Sequence, residues 1–260
     1  MTRIAPDWLA SSATGAVMDA LGEAFFVGGC VRDALIGRSV ADIDISTPLL
    51  PADVTARAEA ARLRVVPTGI DHGTVTVIAE GKPFEVTTYR KDVATDGRRA
   101  VIAFADTLEE DAARRDFTMN ALYADREGVV RDPLGGVADL HAGRVRFIGD
   151  AAQRIAEDYL RSLRFFRFFA WYGRPEAGLD AEGLAAVAAH LEGLDRLSAE
   201  RVGAELKRLL AAPDPVAAVA GMAASGVLAR LLPGAEPEAL GPLVYFEDQE
   251  GLSPGWMRRL

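Results

Sequence analysis

A glycine pair close to the N-terminus has the residue types and the position to bind phosphate. Gly28 and Gly29 follow a short apolar run that predicts a buried strand, and a helix is predicted to begin directly after them. Glycine lets a ligand approach the backbone closely, and the N-terminus of a helix carries partial positive charge. Arg32, in the first turn, can add a charge-assisted hydrogen bond. This turn could therefore bind a triphosphate.

Two aspartates a short distance further on could bind metal ions. Asp42 and Asp44 lie in an alternating run that predicts a strand over residues 42–46, with both carboxylates on one face. Neighbouring oxygen ligands of this kind suit Mg²⁺. Each half of the pattern also has a plain interpretation, because glycine pairs are common in tight turns and Asp-x-Asp is common on solvated surfaces. In this order and spacing, the two halves together favour a metal-assisted reaction of a triphosphate.

A third carboxylate is offered by a predicted β-hairpin. Its strands are expected at residues 74–79 and 84–89, joined by a four-residue turn. In the second strand, alternation places Glu85 on the face opposite Phe84 and Val86. A glutamate at such a position is as often a solvent-exposed residue, so geometry leaves both possibilities open.

The segment RRDFTMNAL, residues 114–122, is predicted to lie in a helix that spans residues 107–122 with Thr107 as N-cap. Arg115, Asp116 and Asn120 would then cluster within about one turn of that helix. The cluster could bind a ligand, or it could be a salt-bridged helix start.

Composition limits the class of protein. The chain has 260 residues, 50% of them hydrophobic, which is enough for one large or two ordinary domains. No apolar stretch reaches the length of a membrane span, and the N-terminus lacks the layout of a signal peptide. One cysteine, Cys30, allows no intrachain disulfide, which fits a cytoplasmic location. The net charge of −9 means that any RNA contact must come from local arginine clusters.

The pattern along the chain predicts two domains. Strand signals end with a last short strand at residues 145–148, and alanine- and leucine-rich helical patterns take over after Gly149. We therefore expect domains at residues 1–148 and 149–260. Residues 90–99 are polar, without apolar periodicity, and predict a mobile loop.

Asp158 and Arg161, in the segment EDYLRSLRFFRF, could read the edge of a nucleotide base. On a helix, residues three apart lie about 60° apart on one face. Cytosine and adenine each offer an amine donor beside a ring-nitrogen acceptor, which matches a carboxylate and a guanidinium. If the pair binds a nucleotide base, it therefore favours the bases of CTP and ATP over those of UTP and GTP.

The later arginines of this segment point elsewhere on a straight helix. Arg164 could reach phosphate or orient Asp158, whereas Arg167 could face RNA or pack against Phe165 and Phe168. The aromatic run that begins at Phe165 is most simply the core of a helical domain.

The glycine turn with its aspartates, the RRDFTMNAL segment and the EDYLRSLRFFRF segment resemble, in this order, the motifs of a known family. This is the family of tRNA nucleotidyltransferases, which add CCA, and bacterial poly(A) polymerases; the resemblance covers about the first 210 residues. It implies an α+β fold, with an N-terminal nucleotidyltransferase head of the polymerase-β type, built on a mixed β-sheet with flanking helices, and an all-α neck domain after it. A segment from Ser198, predicted as an amphipathic helix, resembles a further motif that supports the base-reading helix.

The resemblance also implies roles for the residues. The catalytic and Mg²⁺-binding carboxylates would be Asp42, Asp44 and Glu85. Nucleotide binding would fall to the remaining motif residues: Gly28, Gly29, Arg32, Arg115, Asp116, Asn120, Asp158, Arg161, Arg164 and Arg167. Among these, Arg115 is expected at the triphosphate, and Asp116 with Asn120 at the ribose hydroxyls.

The implied activity is template-independent addition of CCA to tRNA 3′ ends from CTP and ATP. A poly(A) polymerase and a partial A-adding enzyme remain as alternatives, and a catalytically silent RNA-binding relative is the alternative of another class. The polar segment at residues 90–99 resembles the flexible loop linked to the switch from C to A addition, which disfavours a CC-only enzyme. The expected partners are tRNA, CTP and ATP, with no membrane and no obligate protein partner.

The chain stops at Leu260, in what looks like a helix begun after Pro254. Members of the family generally continue beyond the neck into helical body and tail regions. We therefore expect either a truncated helical body or an unusually short member, and in the first case weakened tRNA binding.

Overall fold

The computed structural model describes residues 2–95 and 100–260. The chain divides into two compact units, the first comprising Met1–Ala94 with Val101–Ala138 and the second Thr95–Ala100 with Asp139–Leu260. The division after Ala138 falls before the predicted domain boundary at residues 148–149. None of the helices in the described ranges combines the length and the apolar composition that a bilayer-spanning helix needs.

The first unit is an α+β structure, as predicted. Its helices are α1 (Ser12–Leu21), α2 (Gly29–Leu35), α3 (Pro51–Ala60), α4 (Leu108–Ala113) and the start of α5 (Gly136–Ala142). Its strands are β1 (Phe25–Val27), β2 (Asp44–Thr47), β3 (Arg64–Gly69), β4 (Thr74–Ala79), β5 (Lys82–Thr88), β6 (Arg90–Thr95), β7 (Ala100–Phe104), β8 (Tyr123–Ala124) and β9 (Val130–Arg131).

Seven strands form a mixed sheet in the order β3-β4-β5-β2-β1-β8-β9. Of the pairings between the described strands of this sheet, only β2–β5 is parallel, and it joins Asp44 to Glu85 in register. A parallel pair needs a crossover connection, which α3, β3 and β4 provide here. The sheet's core is apolar, with Phe26, Ile45 and Phe84 fully buried. The prediction that Phe84 and Val86 share one face and Glu85 lies on the other is confirmed; the first face is buried and Glu85 is exposed.

Several element bounds differ from the predictions. The hairpin turn between β4 and β5 has two residues instead of four, because Glu80 (φ 50°) and Gly81 (φ 78°) both adopt positive φ and let the strand pairing continue to Lys82. The first helix begins at Ser12, and Ser11 caps it. Residues 145–148 form no strand.

The predicted loop at residues 90–99 is wrong for its first part. Residues 90–95 form β6, which pairs with β7 in a separate two-stranded sheet. The rest of the predicted loop, residues 96–99, lies outside the described residues. The polar composition of residues 90–99 predicted a loop. A strand of a small two-stranded sheet, however, need not show a regular alternation of apolar and polar residues.

The second unit is helical, as predicted. Its helices after α5 are α6 (Ala151–Glu157), α7 (Leu160–Tyr172), α8 (Ala181–Ala189), α9 (Ala199–Leu210), α10 (Val216–Ala224), α11 (Val227–Leu231), α12 (Leu240–Gln249) and α13 (Trp256–Arg259). Helix α7 packs against α9 and α10. Phe165, Phe166, Phe168 and Phe169 are buried, so the aromatic run is core, as predicted.

Candidate active site

Gly28 shapes the turn between β1 and α2. Its backbone has φ 70° and ψ −120°, a conformation that only glycine adopts at low cost. Its N–H donates to the carbonyl of Leu122 at 2.9 Å, so the turn is bonded to the last residue of the RRDFTMNAL segment. A Cβ on Gly28 would lie 3.5 Å from Nη1 of Arg115. The structure thus brings the two phosphate-binding candidates, the turn and Arg115, side by side.

Arg32 is connected to the residues predicted to bind ribose. Its Nη1 donates to Oδ1 of Asn120 at 2.6 Å, and Nδ2 of Asn120 donates to Oδ1 of Asp116 at 2.9 Å. All three side chains are buried. Arg32 also forms an ion pair with Asp33 at 2.9 Å. These hydrogen bonds fix the distance between Arg32, which could bind phosphate, and Asp116, which could bind hydroxyl groups.

The prediction of one helix over residues 107–122 is correct for its first half and wrong for the rest. Thr107 caps α4 as expected, by accepting a hydrogen bond from Glu110 N at 3.3 Å, but the helix ends at Ala113. Asp116 accepts from the N–H of Phe117 at 2.9 Å, a local bond that competes with helical hydrogen bonding. Asn120 then lies in a short 3₁₀ helix. Asp116 and Asn120 are hydrogen-bonded to each other across this region, whereas Arg115 bonds to Asp111 and Tyr123.

The acidic residues come together in part. Asp44 and Glu85 are direct register partners on the parallel strands β2 and β5. Asp42, in contrast, precedes β2 and is exposed, so the prediction that both aspartates belong to one strand is wrong. Among the described residues, no three His, Cys, Asp or Glu side chains are close enough together to form a metal site.

Electrostatic repulsion between Asp44 and Glu85 affects the pKa of Asp44. The pKa of Asp44 is raised by burial first and then by the negative charge of Glu85 and, to a lesser extent, of Asp42, while Arg115 opposes the rise. Asp44 therefore lies within electrostatic reach of both acidic partners and of Arg115. A divalent cation would relieve this repulsion, so the donors present fit such an ion.

Arg115 is held by two residues that the sequence did not single out. Its Nη2 donates to Oδ2 of Asp111 at 2.9 Å, and its Nε donates to the hydroxyl of Tyr123 at 3.2 Å. Asp111 is fully buried, and although burial alone would raise its pKa, Arg115 and Arg114 lower it well below the usual range. The i, i+4 spacing of Asp111 and Arg115 was the signal that could have found this pair.

In the second unit, Asp158 lies at a break between two helices. It follows the last residue of α6, with φ −152° and ψ 107°, and α7 begins at Leu160. Its Oδ1 accepts from the N–H of Leu160 at 3.1 Å, which ends one helix and starts the next. The prediction that Asp158 and Arg161 share one helix face is therefore wrong. They are still neighbours, because the N–H of Arg161 donates to the carbonyl of Asp158 at 2.9 Å.

Helices α6 and α9 fix the side chains of this pair. Nη2 of Arg201, on α9, lies 2.8 Å from Oδ2 of Asp158. Nη1 of Arg161 pairs with Glu157 and also donates to the carbonyl of Arg154 at 2.9 Å. Sequence reasoning missed the Arg201 contact, which joins residues far apart in the chain.

The two later arginines pack on aromatic rings. The guanidinium carbons of Arg164 and Arg167 lie 5.3 and 4.5 Å from the ring centroid of Phe168. Nε of Arg167 also donates to Oε2 of Glu205, on α9, at 2.5 Å. For Arg167 this agrees with the packing alternative at Phe168. Ser198 caps α9 as predicted, and α9 supports α7 through this ion pair.

The chain is similar to known proteins in sequence and in fold. A family profile described as "Poly A polymerase head domain" matches residues 24–146, and another, "Probable RNA and SrmB- binding site of polymerase A", matches residues 178–238. The "CCA-adding enzyme" of Geobacillus thermodenitrificans is 40% identical over 214 residues, which are 82% of this chain and 51% of that protein. The chain belongs to the family of tRNA nucleotidyltransferases and bacterial poly(A) polymerases.

Further members of the family give the same result. "CCA tRNA nucleotidyltransferase 1, mitochondrial" of Mus musculus is 42% identical over 184 residues, 70% of this chain and 42% of that protein. The solved structure of the Bacillus stearothermophilus CCA-adding enzyme in complex with CTP superposes with a TM-score of 0.77 at 34% identity, over 89% of this chain and 56% of that one. The chain spans about half the length of these relatives. Nucleotidyltransferases of this family generally use divalent metal ions.

Proposed function

We propose that this chain adds CCA to the 3′ ends of tRNA from CTP and ATP, by Mg²⁺-dependent nucleotidyl transfer. The observation that carries the proposal is the register pairing of Asp44 with Glu85, within electrostatic reach of Arg115. Phosphoryl transfer from a nucleoside triphosphate needs carboxylates that bind a metal ion. It also needs a positively charged side chain beside them that binds phosphate. The similarity to CCA-adding enzymes, one of them solved with CTP, supports the same assignment.

Asp44 and Glu85 would hold Mg²⁺, with Asp42 as the third carboxylate from the segment before β2. When bound there, the ion would lower the pKa of an attacking 3′-hydroxyl and neutralise charge on the pyrophosphate leaving group. Because Asp42 is exposed and precedes the strand, it can approach the other two without breaking any strand pairing.

The residues around Gly28 would bind the rest of the nucleotide, whatever its base. The backbone of the Gly28 turn and the guanidiniums of Arg32 and Arg115 would bind the triphosphate. Asp116 and Asn120, already linked to Arg32 by hydrogen bonds, would orient the ribose hydroxyls. Orientation of the α-phosphate towards the attacking hydroxyl supplies a large part of the rate in such reactions.

Asp158 and Arg161 would select the base. A carboxylate accepts from the exocyclic amine of cytosine or adenine, and a guanidinium donates to the adjacent ring nitrogen. Uracil and guanine present the opposite pattern and leave both groups mismatched. Arg201 and Glu157 support this proposal, because they limit the rotamers of the two selecting side chains.

Incubation with tRNA that lacks CCA, with each labelled nucleotide alone and in pairs, tests the proposal. We expect C incorporation from CTP alone, A incorporation only when CTP is present, and no incorporation from UTP or GTP. Extended A tails without C would identify a poly(A) polymerase, and A addition restricted to tRNA ending in CC would identify an A-adding enzyme. Binding of tRNA without any incorporation would identify a silent RNA-binding relative.

The matched variants are Asp44→Asn and Glu59→Gln, both of which remove one carboxylate charge from the first unit. We expect the first to abolish incorporation and the second, at an exposed position on α3, to leave it unchanged.

A cytoplasmic site of action is part of the proposal, because the single cysteine fits a reducing compartment.

A further inference from the structure

We propose that Asp111 is a positioning residue for triphosphate binding, which it performs by orienting Arg115 towards the Gly28 turn. The inference rests on the proposed function and adds a residue to it. Asp111 touches no substrate in this proposal and acts only through the guanidinium that it holds.

The carboxylate of Asp111 is completely enclosed and receives five hydrogen bonds. Oδ2 accepts from Nη2 of Arg115 at 2.9 Å, from the hydroxyl of Tyr123 at 2.8 Å and from Oγ of Ser46 at 3.2 Å. Oδ1 accepts from Nε of Arg114 at 2.9 Å and from the backbone N–H of Arg90 at 3.2 Å. A buried carboxylate with this many donors stays ionised and has little freedom to rotate.

The consequence for Arg115 follows from which of its nitrogens are used. Nη2 is bound to Asp111 and Nε to Tyr123, and the guanidinium carbon lies 5.5 Å from the ring centroid of Tyr123. The remaining nitrogen, Nη1, is the one that lies beside Gly28. Because a guanidinium is planar and rigid, fixing two of its nitrogens fixes the direction of the third.

Asp111 also connects Arg115 to the metal-binding strand. Ser46 lies on β2, two residues after Asp44, and its hydroxyl donates to the same carboxylate oxygen that binds Arg115. The distance between the phosphate-binding cation and the carboxylate pair is therefore set through one buried side chain. A reaction that depends on a phosphate between metal ions and a cation needs this distance to be fixed.

The test is to measure the dissociation constants of CTP, ATP and inorganic tripolyphosphate for Asp111→Asn, which keeps the shape and removes the charge. We expect all three constants to rise about tenfold and by the same factor, because a charge-assisted hydrogen bond to Arg115 is lost while base contacts stay intact. The ratio of CTP to UTP affinity is expected to stay unchanged. Glu109→Gln, an exposed carboxylate on the same helix, is the matched control and should bind as the wild type does.

Tyr123→Phe removes only the hydroxyl that holds Nε and decides the question if Asp111→Asn does not fold. We expect it to weaken binding of tripolyphosphate about threefold. Unchanged tripolyphosphate binding in a folded Asp111→Asn or Tyr123→Phe variant would overturn the inference, and so would a change in base preference without a change in affinity. Failure of the wild type to incorporate C or A would contradict the proposed function alone, since tripolyphosphate binding is measured without tRNA or base.

Discussion

Substitution of Asp44 by asparagine should separate the activity of this protein from its stability. Asp44 and Glu85 are register partners on neighbouring strands, and the negative charge of Glu85 adds to the effect of burial in raising the pKa of Asp44. Cross-strand side-chain pairs change the stability of a sheet by about 0.2–1 kcal/mol, and like charges directly opposite each other lower it. Asp44→Asn removes the repulsion and keeps the shape, so the variant should be inactive and yet more stable in the absence of metal ions.

The dependence on pH follows from the raised pKa of Asp44. Burial and Glu85 raise it, so the folded chain binds the Asp44 proton more tightly than the unfolded chain does. The stability that this proton contributes is lost as the pH rises through the folded-state pKa. The gain from Asp44→Asn is therefore expected above that pKa and should vanish below the ordinary aspartate value of about 3.9.

Thermal unfolding with EDTA, at neutral and acidic pH, measures the effect. An effect of this size corresponds to an increase of roughly 0.5–4 °C in the midpoint for a chain of this length. Addition of Mg²⁺ should raise the midpoint of the wild type more than that of the variant, because the ion relieves a repulsion that only the wild type has. Glu59→Gln should show neither effect. A lower midpoint for Asp44→Asn in EDTA, with an unchanged response to Mg²⁺, would refute the reasoning.

Three further predictions concern packing. Glu205→Ala should lower the free energy of unfolding, measured in urea, by about 2–4 kcal/mol, because a largely buried guanidinium on α7 loses its carboxylate. Gly193→Ala should weaken discrimination against UTP. The added Cβ would lie 1.9 Å from the ring of Tyr159 and would displace this residue, which directly follows Asp158. In the control Gly203→Ala, on α9, the added Cβ meets nothing within 4 Å, so this variant should keep wild-type selectivity. Burial raises the pKa of Cys30 to about 12, so iodoacetamide at pH 8 should modify it only after unfolding; modification of the native chain would contradict its burial.

The order of the chemical motifs and the type of most elements could be predicted from the sequence. Residue types and spacing decide these features, as in the glycine turn before α2 and the alternation in β5. The two-residue hairpin turn could not be predicted, because it requires a positive φ at Glu80, where no glycine signals it.

The same kind of local hydrogen bond is found in both of the segments wrongly predicted as continuous helix. At Asp116 and at Asp158, an aspartate carboxylate accepts a hydrogen bond from a backbone N–H one or two residues later, and the helix does not continue through that point. The spacing of apolar residues does not show where a side-chain hydrogen bond to the backbone replaces a helical one. The contact of Asp158 with Arg201 was out of reach for a different reason, because it joins positions far apart in sequence and depends on how α7 and α9 pack.

The parallel pairing of β2 with β5 has a consequence for how the first unit folds. The hairpin of β4 and β5 closes locally and should form early, whereas β2 can join β5 only after the whole intervening crossover is ordered. The two carboxylates would therefore become neighbours in one of the last steps. A partly folded chain would lack the proposed cation site, so if Mg²⁺ binds there it would bind only fully folded chains and slow their unfolding.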